Sequence, residues 1–470
     1  MICTDIVRRL TDLFKPVLLT NVISNYLSDI DRLKNSDFDQ IKKYRDKAFR
    51  RLIQYAYNVP LYHDKYKKAG IHPNDFRGIQ DIEKLPIINR ADIINNFPSG
   101  VIAQDSKKDA ILVNTSGSTR NPASFYMDQY TLMKSLIAYV RELRNYGIRW
   151  NKSRISIIAN FYSQTAPTQY FMSGTDSTIK PFFSLKNIQQ INADDDLKDI
   201  IKRIDVFKPE LIVGFPGPLR HLYLLKEKGF GENINPKCIV SSGGLIDSYE
   251  KKRIGESFNT RVFDIYGSTE AGPIAFECND GNLHINSDFV YLETIDRNDT
   301  LLEKGKTGRL VMTRIYGKGT PLIRYTGMGD IITLQNDTCS CGMQTELIKK
   351  IHGRIKESIV LPDGKVIFPD ALNDVVGKVL FQLKTDKIDR IQIIQESLKK
   401  IEILVIIDKE KRDDDPTIEK LFDKLKIEYQ KLFGSETEIE IKEVTKLISE
   451  DESGVITPGI LSKIDVNKYL

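Results

Sequence analysis

The sequence predicts an α/β protein with a large N-terminal region of parallel βαβ units, a small β-barrel-like subdomain and a C-terminal α+β domain. Three observations lead to this prediction. Runs of β-branched residues alternate with helical stretches up to about residue 265, which is typical of parallel βαβ units. Hairpin patterns replace this alternation after Asp288, and the residues from Arg354 onward combine strand patterns with an amphipathic helix.

Helical patterns open the N-terminal region. Residues 1–40 have helical apolar spacing that Pro16 interrupts, and a second helical run at 39–69 is broken at Asn58-Val59-Pro60. Strands are then predicted at 155–159, 211–213, 238–241 and 261–265, with a helix at 195–206. In such a parallel sheet, ligand-binding loops follow the carboxyl ends of the strands.

The second half of the chain has antiparallel patterns. Strands at 290–295 and 308–313 are assigned to the small β-barrel-like subdomain. Further on, a hairpin is predicted at 358–367, strands within 389–407 and an amphipathic helix at 418–432. The predicted domains are therefore 1–353, with a β subdomain at about 274–350, and 354–470.

Composition is that of a globular protein. The 470 residues suffice for two or three domains. The 69 basic and 64 acidic residues give a net charge of +5 without a single-sign segment, so a nucleic-acid partner is not expected. Neither a secretory signal nor a run of about 20 apolar residues is recognisable. A cytoplasmic enzyme without a transmembrane segment is therefore expected.

Hydroxyl side chains cluster in a loop that follows the apolar run at 110–113. The loop has the sequence Asn114-Thr115-Ser116-Gly117-Ser118-Thr119-Arg120-Asn121-Pro122. Backbone N–H and hydroxyl groups in such a turn can surround phosphate oxygens. The Walker and dinucleotide-binding patterns are absent here, and ordinary polar turns have a similar composition. The loop is a candidate phosphate-binding loop.

Three cysteines and one histidine form two pairs with metal-ligand spacing. Cys278 and His284 flank a short polar turn, and Cys339 and Cys341 are separated by one residue. Three thiolates and an imidazole make up the ligand set of a closed, structural zinc site. The alternative is that the four residues are unrelated.

The order of several further motifs resembles the adenylate-forming superfamily, which includes acyl-CoA synthetases and adenylation domains. These motifs are Tyr266-Gly267-Ser268-Thr269-Glu270, Ile323-Arg324-Tyr325 with Gly329-Asp330, Gly353-Arg354-Ile355-Lys356-Glu357, and Ser462-Lys463. Stretches at 55–62, 84–87 and 207–216 are similar to the phenylacetate-coenzyme A ligase-like and capsule-cluster branch. That branch often has Cys, His and Cys-x-Cys at the positions described above. The resemblance implies the adenylate-forming fold with a mobile C-terminal domain.

The resemblance implies roles for the motif at 266–270. Glu270 would bind Mg²⁺ that bridges the phosphates, and Thr269 would contact the α-phosphate. Tyr266 would pack against adenine, and Gly267 would permit close approach. The alternative is a tight turn with a surface glutamate.

In the phosphate loop, Thr115, Ser116, Gly117, Ser118 and Thr119 would contact the phosphates by the same resemblance. Arg120 occupies a position where this superfamily usually has glycine, and Ala123 one where it often has lysine. Either Arg120 supplies the missing charge, or the loop has lost some phosphate affinity.

The remaining nucleotide contacts are implied in the same way. Ser242, Gly243 and Gly244 would line the adenine, although Gly244 replaces a residue that is commonly acidic. Asp330 would accept hydrogen bonds from the ribose hydroxyls, although its spacing from Tyr325 is one residue longer than usual. Arg354 would reach the ribose or a phosphate.

Two lysines receive roles in the C-terminal domain. Lys356 matches the hinge about which this domain rotates between the two half-reactions. Lys463 resembles the lysine that reaches the α-phosphate and the substrate carboxylate, with Lys468 as a nearby competitor. A solvated tail lysine is the alternative for Lys463.

The resemblance implies an AMP-forming carboxylate ligase that uses ATP and Mg²⁺, has a structural Zn²⁺, and transfers the acyl group to coenzyme A or another thiol. Asn160-Phe161-Tyr162-Ser163 and Gly214-Phe215-Pro216-Gly217 would line an acyl pocket suited to an aryl acid. One alternative is transfer to an amine or sugar in polysaccharide or secondary metabolism. Another is a catalytically impaired nucleotide-binding protein. The oligomeric state stays open, with a homodimer as one option.

Overall fold

The computed structural model describes residues 20, 23–115, 122–161, 185–335, 337–448 and 459–470. Its helices are numbered in chain order: α1 Arg32–Asn35, α2 Phe38–Ala56, α3 Pro60–Lys68, α4 Arg90–Asn96, α5 Gln129–Asn145, α6 Leu197–Phe207, α7 Pro216–Glu227, α8 Ser248–Phe258, α9 Pro369–Leu383 and α10 Ile418–Phe433. No helix in these ranges combines the length and the apolar character that a membrane crossing requires.

The strands are β1 Ile111–Asn114, β2 Ser124–Met127, β3 Ile155–Ala159, β4 Ile188–Asn192, β5 Leu211–Gly214, β6 Cys238–Ser242, β7 Arg261–Ser268, β8 Gly272–Glu277, β9 Leu283–Ile285, β10 Val290–Ile295, β11 Thr307–Arg314, β12 Asp330–Gln335, β13 Leu347–Arg354, β14 Ile359–Val360, β15 Val366–Ile367, β16 Ile388–Ser397, β17 Lys400–Ile407, β18 Glu438–Glu443 and β19 Ile460–Ser462.

One sheet of eleven strands organises the first domain, in the order β10-β11-β12-β13-β9-β8-β7-β6-β5-β3-β4. From β4 to β7 the neighbouring strands are parallel, and β5 and β6 are almost wholly buried. Burial on both faces explains their continuous apolar sequences. The predicted alternation of parallel strands and helices is therefore confirmed.

Antiparallel strands form the other half of this sheet. The strands predicted at 290–295 and 308–313 are present as the antiparallel pair β10 and β11. They continue the large sheet through β12, β13, β9 and β8 rather than forming a sheet of their own.

The C-terminal residues have a hydrophobic core of their own, made of buried side chains between Ile359 and Ile460. A four-stranded sheet in the order β18-β17-β16-β19 packs with α9 and α10 around this core. Gly353 immediately precedes this part of the chain. Its φ is +100°, and a Cβ there would come within 2.8 Å of Pro369, so the end of β13 requires glycine at this position.

Polar contacts hold the two domains together away from Gly353. Asp386 accepts hydrogen bonds from Arg253 at 2.8 Å and from Tyr223 at 3.1 Å. Arg220 donates to the carbonyl of Ile388 at 2.8 Å. These contacts join α7 and α8 to the segment between α9 and β16 and to the first residue of β16.

Helix α5 is anchored by buried charged groups on one face. Arg141 donates to Asp288 at 3.0 Å and to Asn286 at 2.6 Å, and Lys134 pairs with Asp29. Asn286 donates in turn to Glu142 at 2.8 Å. Buried ions are stable only when paired in this way, so these contacts fix α5 against the loop before β10 and against the N-terminal residues.

Replacing Glu142 by glutamine should flatten the dependence of stability on pH. Burial raises the pKa of Glu142 from its ordinary 4.5 to about 8, so the folded protein holds a proton that the unfolded chain has released. The folded state then binds more protons between about pH 5 and pH 8, and its free energy of unfolding falls as the pH rises, by at most about 1.4 kcal/mol per pH unit. Urea denaturation from pH 5 to pH 8 should show a shallower fall in the variant; identical slopes would contradict this prediction.

Candidate active site and metal cluster

A cavity of about 820 Å³ opens at the carboxyl ends of the parallel strands. This is the edge where α/β sheets bind ligands. Its wall combines segments far apart in sequence: Asn89–Ala91, Asn114 and Thr115, Ser242 and Gly243, Gly267–Glu270, Thr326–Asp330 and Arg354–Lys356. Most of the sequence motifs singled out above therefore meet at one cavity.

The motif at the end of β7 lies on the cavity wall. Gly267, Thr269 and Glu270 line it, and a Cβ on Gly267 would come within 2.8 Å of the carbonyl oxygen of Gly272. Only glycine therefore fits there without displacing the backbone. Tyr266 donates a hydrogen bond from its hydroxyl to Asp330 at 2.5 Å.

Glu270 is a buried carboxylate beside a cation. Its exposed fraction is 5%, and its Oε1 lies 3.9 Å from Nη1 of Arg90. Burial raises the pKa of Glu270, while Arg90 and Arg354 oppose this rise. A carboxylate in such a position can hold a divalent cation against phosphate oxygens.

Asp330 and Arg354 lie opposite each other on β12 and β13, with Oδ1 of Asp330 3.9 Å from Nε of Arg354. Burial raises the pKa of Asp330 to about 6, against the effects of the Tyr266 hydrogen bond and Arg354. The unusual spacing between Tyr325 and Asp330 is accommodated by a turn in which Gly329 donates to the carbonyl of Thr326 at 3.1 Å. Asp330 thus reaches the cavity despite the extra residue.

Arg90 is a cavity residue that the sequence analysis missed. It is the first residue of α4, which Asn89 caps, and its guanidinium donates to Oγ1 of Thr115 at 2.9 Å. The only available signal was its position shortly after the segment at 84–87 that resembles the phenylacetate ligase-like branch. Arg90 adds a positive charge between Glu270 and the candidate phosphate loop.

The candidate phosphate loop joins β1 to β2. Thr115 and Ala123 close it through a backbone hydrogen bond of 3.0 Å, and Thr115 lines the cavity. The predicted contacts Ser116, Gly117, Ser118, Thr119 and Arg120 fall outside the described residues. Their roles stay predictions.

Of the three residues predicted at the end of β6, two line the cavity and one does not. Ser242 and Gly243 line the cavity, and the hydroxyl of Ser242 donates to the carbonyl of Ile265 at 2.9 Å. Gly244 lies against Pro216 instead, where a Cβ would come within 3.2 Å of the proline ring.

The two predicted lysines of the C-terminal domain lie in different surroundings. Lys356 lines the cavity. Lys463 is largely exposed and forms an ion pair with Glu396, whereas Asn467, a few residues further along, lines the cavity. The end of the chain therefore reaches the site, with the Lys463 side chain directed to Glu396.

Cys278, His284, Cys339 and Cys341 come together beside the sheet, with all four potential ligand atoms within 4.8 Å of one another. Cys278 Sγ lies 3.6 Å from Cys339 Sγ, and Cys341 Sγ lies 3.2 Å from His284 Nε2. Cys278 directly follows β8, His284 lies in β9, and the loop between β12 and β13 supplies Cys339 and Cys341. The cluster is thus assembled by strand pairing across distant parts of the sequence.

Neighbouring polar groups orient this cluster. Oγ1 of Thr345 lies 2.8 Å from Nδ1 of His284, which leaves Nε2 directed at the thiols. Asn282 donates its amide to Sγ of Cys339 at 3.2 Å. Such outer contacts typically fix the ring orientation and the thiolate of metal ligands.

Comparison with curated proteins gives matches over most of the chain. Phenylacetate-coenzyme A ligase of Pseudomonas putida is 24% identical over 363 residues, covering 74% of this chain and 78% of that protein. Protein CapK of Staphylococcus aureus is 24% identical over 449 residues, covering 94% and 92%. No family model matches the chain.

Solved structures share the fold. 2-Hydroxyisobutyryl-CoA ligase in the postadenylation state, in complex with R3-HIB-AMP, has a TM-score of 0.73 at 18% identity, covering 92% of this chain and 91% of that one. The same ligase in the thioesterification state, with 2-HIB-AMP and CoA, gives 0.58 at 19% identity with the same coverage. The chain therefore shares the fold of this coenzyme A ligase, and its sequence is similar over most of its length to phenylacetate-coenzyme A ligases and to protein CapK.

Proposed function

We propose that this protein is an ATP-dependent, AMP-forming ligase that activates an organic acid as its acyl-adenylate and transfers the acyl group to coenzyme A. The observation that carries the proposal is the single cavity that collects Thr115, Glu270, Asp330, Arg354 and Lys356 from separate motifs. Relatives named as coenzyme A ligases over about three quarters of the chain support it.

In the first half-reaction, a carboxylate oxygen of the acid attacks the α-phosphorus of ATP. A C–O–P mixed anhydride forms, and the bond to pyrophosphate breaks. Since both reactants are anions, the site must neutralise charge and align them. Arg90 and Arg354 supply fixed positive charge, and Asp330 would accept hydrogen bonds from the ribose hydroxyls.

Glu270 is the residue best placed to hold Mg²⁺, because it is a cavity-lining carboxylate near the candidate phosphate loop. A bound Mg²⁺ would neutralise phosphate charge. Thr269, next to it on the wall, would contact the α-phosphate.

In the second half-reaction, the sulfur of coenzyme A attacks the acyl carbon and AMP leaves, while the thiol proton passes to solvent. This step needs a different set of groups at the adenylate, which rotation of the C-terminal domain about Lys356 would supply. The polar contacts of Asp386 would break in that rotation.

We also propose that Cys278, His284, Cys339 and Cys341 hold a structural zinc ion. Zinc–sulfur and zinc–nitrogen bonds of about 2.3 and 2.0 Å place neighbouring ligands of a tetrahedron roughly 3.5–3.8 Å apart. The separations of 3.6 and 3.2 Å fit this arrangement after small adjustments. Four protein ligands leave no position for substrate, so the role would be to join the loops around β9.

Purified protein should therefore contain about one zinc per chain. Replacing Cys339 by serine should remove the metal and lower the melting temperature, because an ion bound only by the folded state stabilises that state. Elemental analysis and thermal melts measure both effects. Cys238→Ala is the matched control, because Cys238 is buried in β6 apart from the cluster. Protein without zinc, in which Cys339→Ser is as stable as the parent, would contradict the proposal.

Exchange of labelled pyrophosphate into ATP, dependent on an added acid, tests the proposed function most directly. Exchange with any acid identifies adenylate formation, and nucleotide binding without exchange would identify an impaired homologue instead. Consumption of coenzyme A, compared with amines and sugars, then identifies the acceptor.

A further inference from the structure

The cavity extends beyond the nucleotide motifs as an apolar limb under α5. Leu136, Tyr139, Val140 and Leu143 of this helix line it. Their spacing of three and four residues places them on one helical face, opposite the sheet. Leu136, Tyr139 and Leu143 are only partly buried, although they lie between a helix and a sheet. The cavity therefore enters between the helix and this part of the sheet, where Tyr139 and Leu143 also pack against a cluster of buried side chains.

The facing wall of the limb is the sheet itself. Ile155, Ile157 and Ala159 of β3 point to the same side, as alternate strand residues do, and all three line the cavity. Ile188 pairs with Ile155, and Val213 with Ile157; both are cavity residues and only partly buried. Within the described residues, these two walls contribute no Lys, Arg, Asp or Glu to the cavity.

The limb follows the whole length of β3. Ala159 lies near the nucleotide motifs, whereas Ile155 lies at the opposite end of the strand, and Trp150 lines the cavity beyond it. A rise of about 3.3 Å per residue makes the path from Ala159 to Ile155 roughly 13 Å long. An extended alkyl chain with C–C bonds of about 1.5 Å advances about 1.25 Å per carbon. The limb thus accommodates a chain of about eight to ten carbons, and an unsubstituted aryl acid would fill only its near part.

We infer that the acid activated at this site carries an extended apolar tail, which lies between α5 and β3 with its end near Trp150. This inference rests on the proposed function, because the carboxylate must lie at the nucleotide motifs for the tail to enter the limb. Each buried methylene then adds apolar contact.

A series of linear acids from butyrate to dodecanoate, with phenylacetate alongside, tests the inference in the pyrophosphate exchange assay. Burial of each added methylene should raise kcat/KM by about fourfold, until the limb is full at about eight to ten carbons. A profile that is flat or falls beyond butyrate, while phenylacetate supports exchange, would overturn the inference and leave the proposed function intact. If none of the acids supports exchange, the proposed function is contradicted. The binding experiment described next then tests the inference independently.

Trp150 is the only tryptophan of the chain, so its fluorescence reports on the far end of the limb without turnover. A bromine atom quenches tryptophan on contact. Saturating 10-bromodecanoate, added with AMP, should quench most of the emission, whereas 4-bromobutyrate should not. Absence of quenching by 10-bromodecanoate would overturn the inference whatever the outcome of the exchange assay.

Two narrowing variants locate the tail. Leu143→Phe and Val213→Phe place a ring in the limb from the helix and from the sheet, and each should lower the decanoate-to-butyrate ratio of kcat/KM by at least tenfold. Val206→Phe is the matched control, because Val206 is 76% exposed on α6 outside the cavity, and it should keep the parent ratio. A parental ratio in both narrowing variants, folded as judged by circular dichroism, would place the tail elsewhere.

Discussion

Replacing Lys463 by alanine is expected to slow acyl-adenylate formation by about 10²–10³-fold, the range found when one group that stabilises developing charge is removed. The ion pair with Glu396 does not exclude this role. Asn467 already lines the cavity, so a local rearrangement of the last residues could bring the ammonium group to the α-phosphate. Pyrophosphate exchange measures the loss, and fluorescent nucleotide titration should show nearly unchanged ATP binding, because the other proposed nucleotide contacts lie between Thr115 and Arg354, outside the last residues of the chain.

Lys468→Ala is the control for this prediction, because Lys468 is the nearby competing lysine. Glu396→Gln removes the partner of Lys463 and should leave exchange at or above the parental rate. If Lys463→Ala exchanges pyrophosphate at the parental rate and Lys468→Ala does not, then Lys468 is the lysine that acts at the α-phosphate.

A third variant, Lys356→Pro, fixes φ at the expected hinge and should impair acyl transfer more than adenylation.

Replacing Glu270 by glutamine should reduce ATP turnover by about 10²-fold or more, because a lost Mg²⁺ ligand removes several kcal/mol of charge stabilisation. The fold should survive, and its stability at neutral pH should not fall, since burial disfavours the charged form of this side chain. Exchange rates across a Mg²⁺ titration and a thermal melt measure the two effects.

Glu142→Gln is the matched control for Glu270→Gln, because Glu142 is also a fully buried carboxylate but does not line the cavity. It should leave exchange at pH 7 close to that of the parent. Unchanged turnover and Mg²⁺ dependence in Glu270→Gln would remove Glu270 from the proposed mechanism.

The central strands were predictable because burial on both faces requires uninterrupted apolar, β-branched sequence. β5, β6 and β7 begin at the predicted residues. β4 was missed because it lies at the edge of the sheet, where Gln189, Gln190 and Asn192 are tolerated. The pairing of β10 and β11 with the large sheet was also missed, because a hairpin pattern does not specify the next neighbour of its strands.

Cavity residues that belong to a short sequence motif could be predicted, whereas contacts between residues far apart in sequence could not. Gly267, Glu270 and Asp330 were found because each belongs to a short motif that reaches the cavity. Arg90 was missed because its partner Thr115 is distant in sequence, and nothing around it marks more than a helix start. The pairing of Lys463 with Glu396 likewise depends on the parallel alignment of β16 and β19, which sequence spacing does not reveal.

The buried ion pairs of α5 hold this helix at a fixed position and so keep the apolar limb of the cavity open. A helix with an apolar face above a gap would ordinarily settle onto the sheet and close it, because close packing is favoured in protein interiors. Arg141 and Lys134 oppose this movement, since lowering the helix would draw their buried cations away from Asp288 and Asp29 and leave these carboxylates with Arg32 as their ion-pair partner. If the proposed tail binds here, it need not first separate the helix from the sheet, so less of its binding energy would be lost to reorganisation.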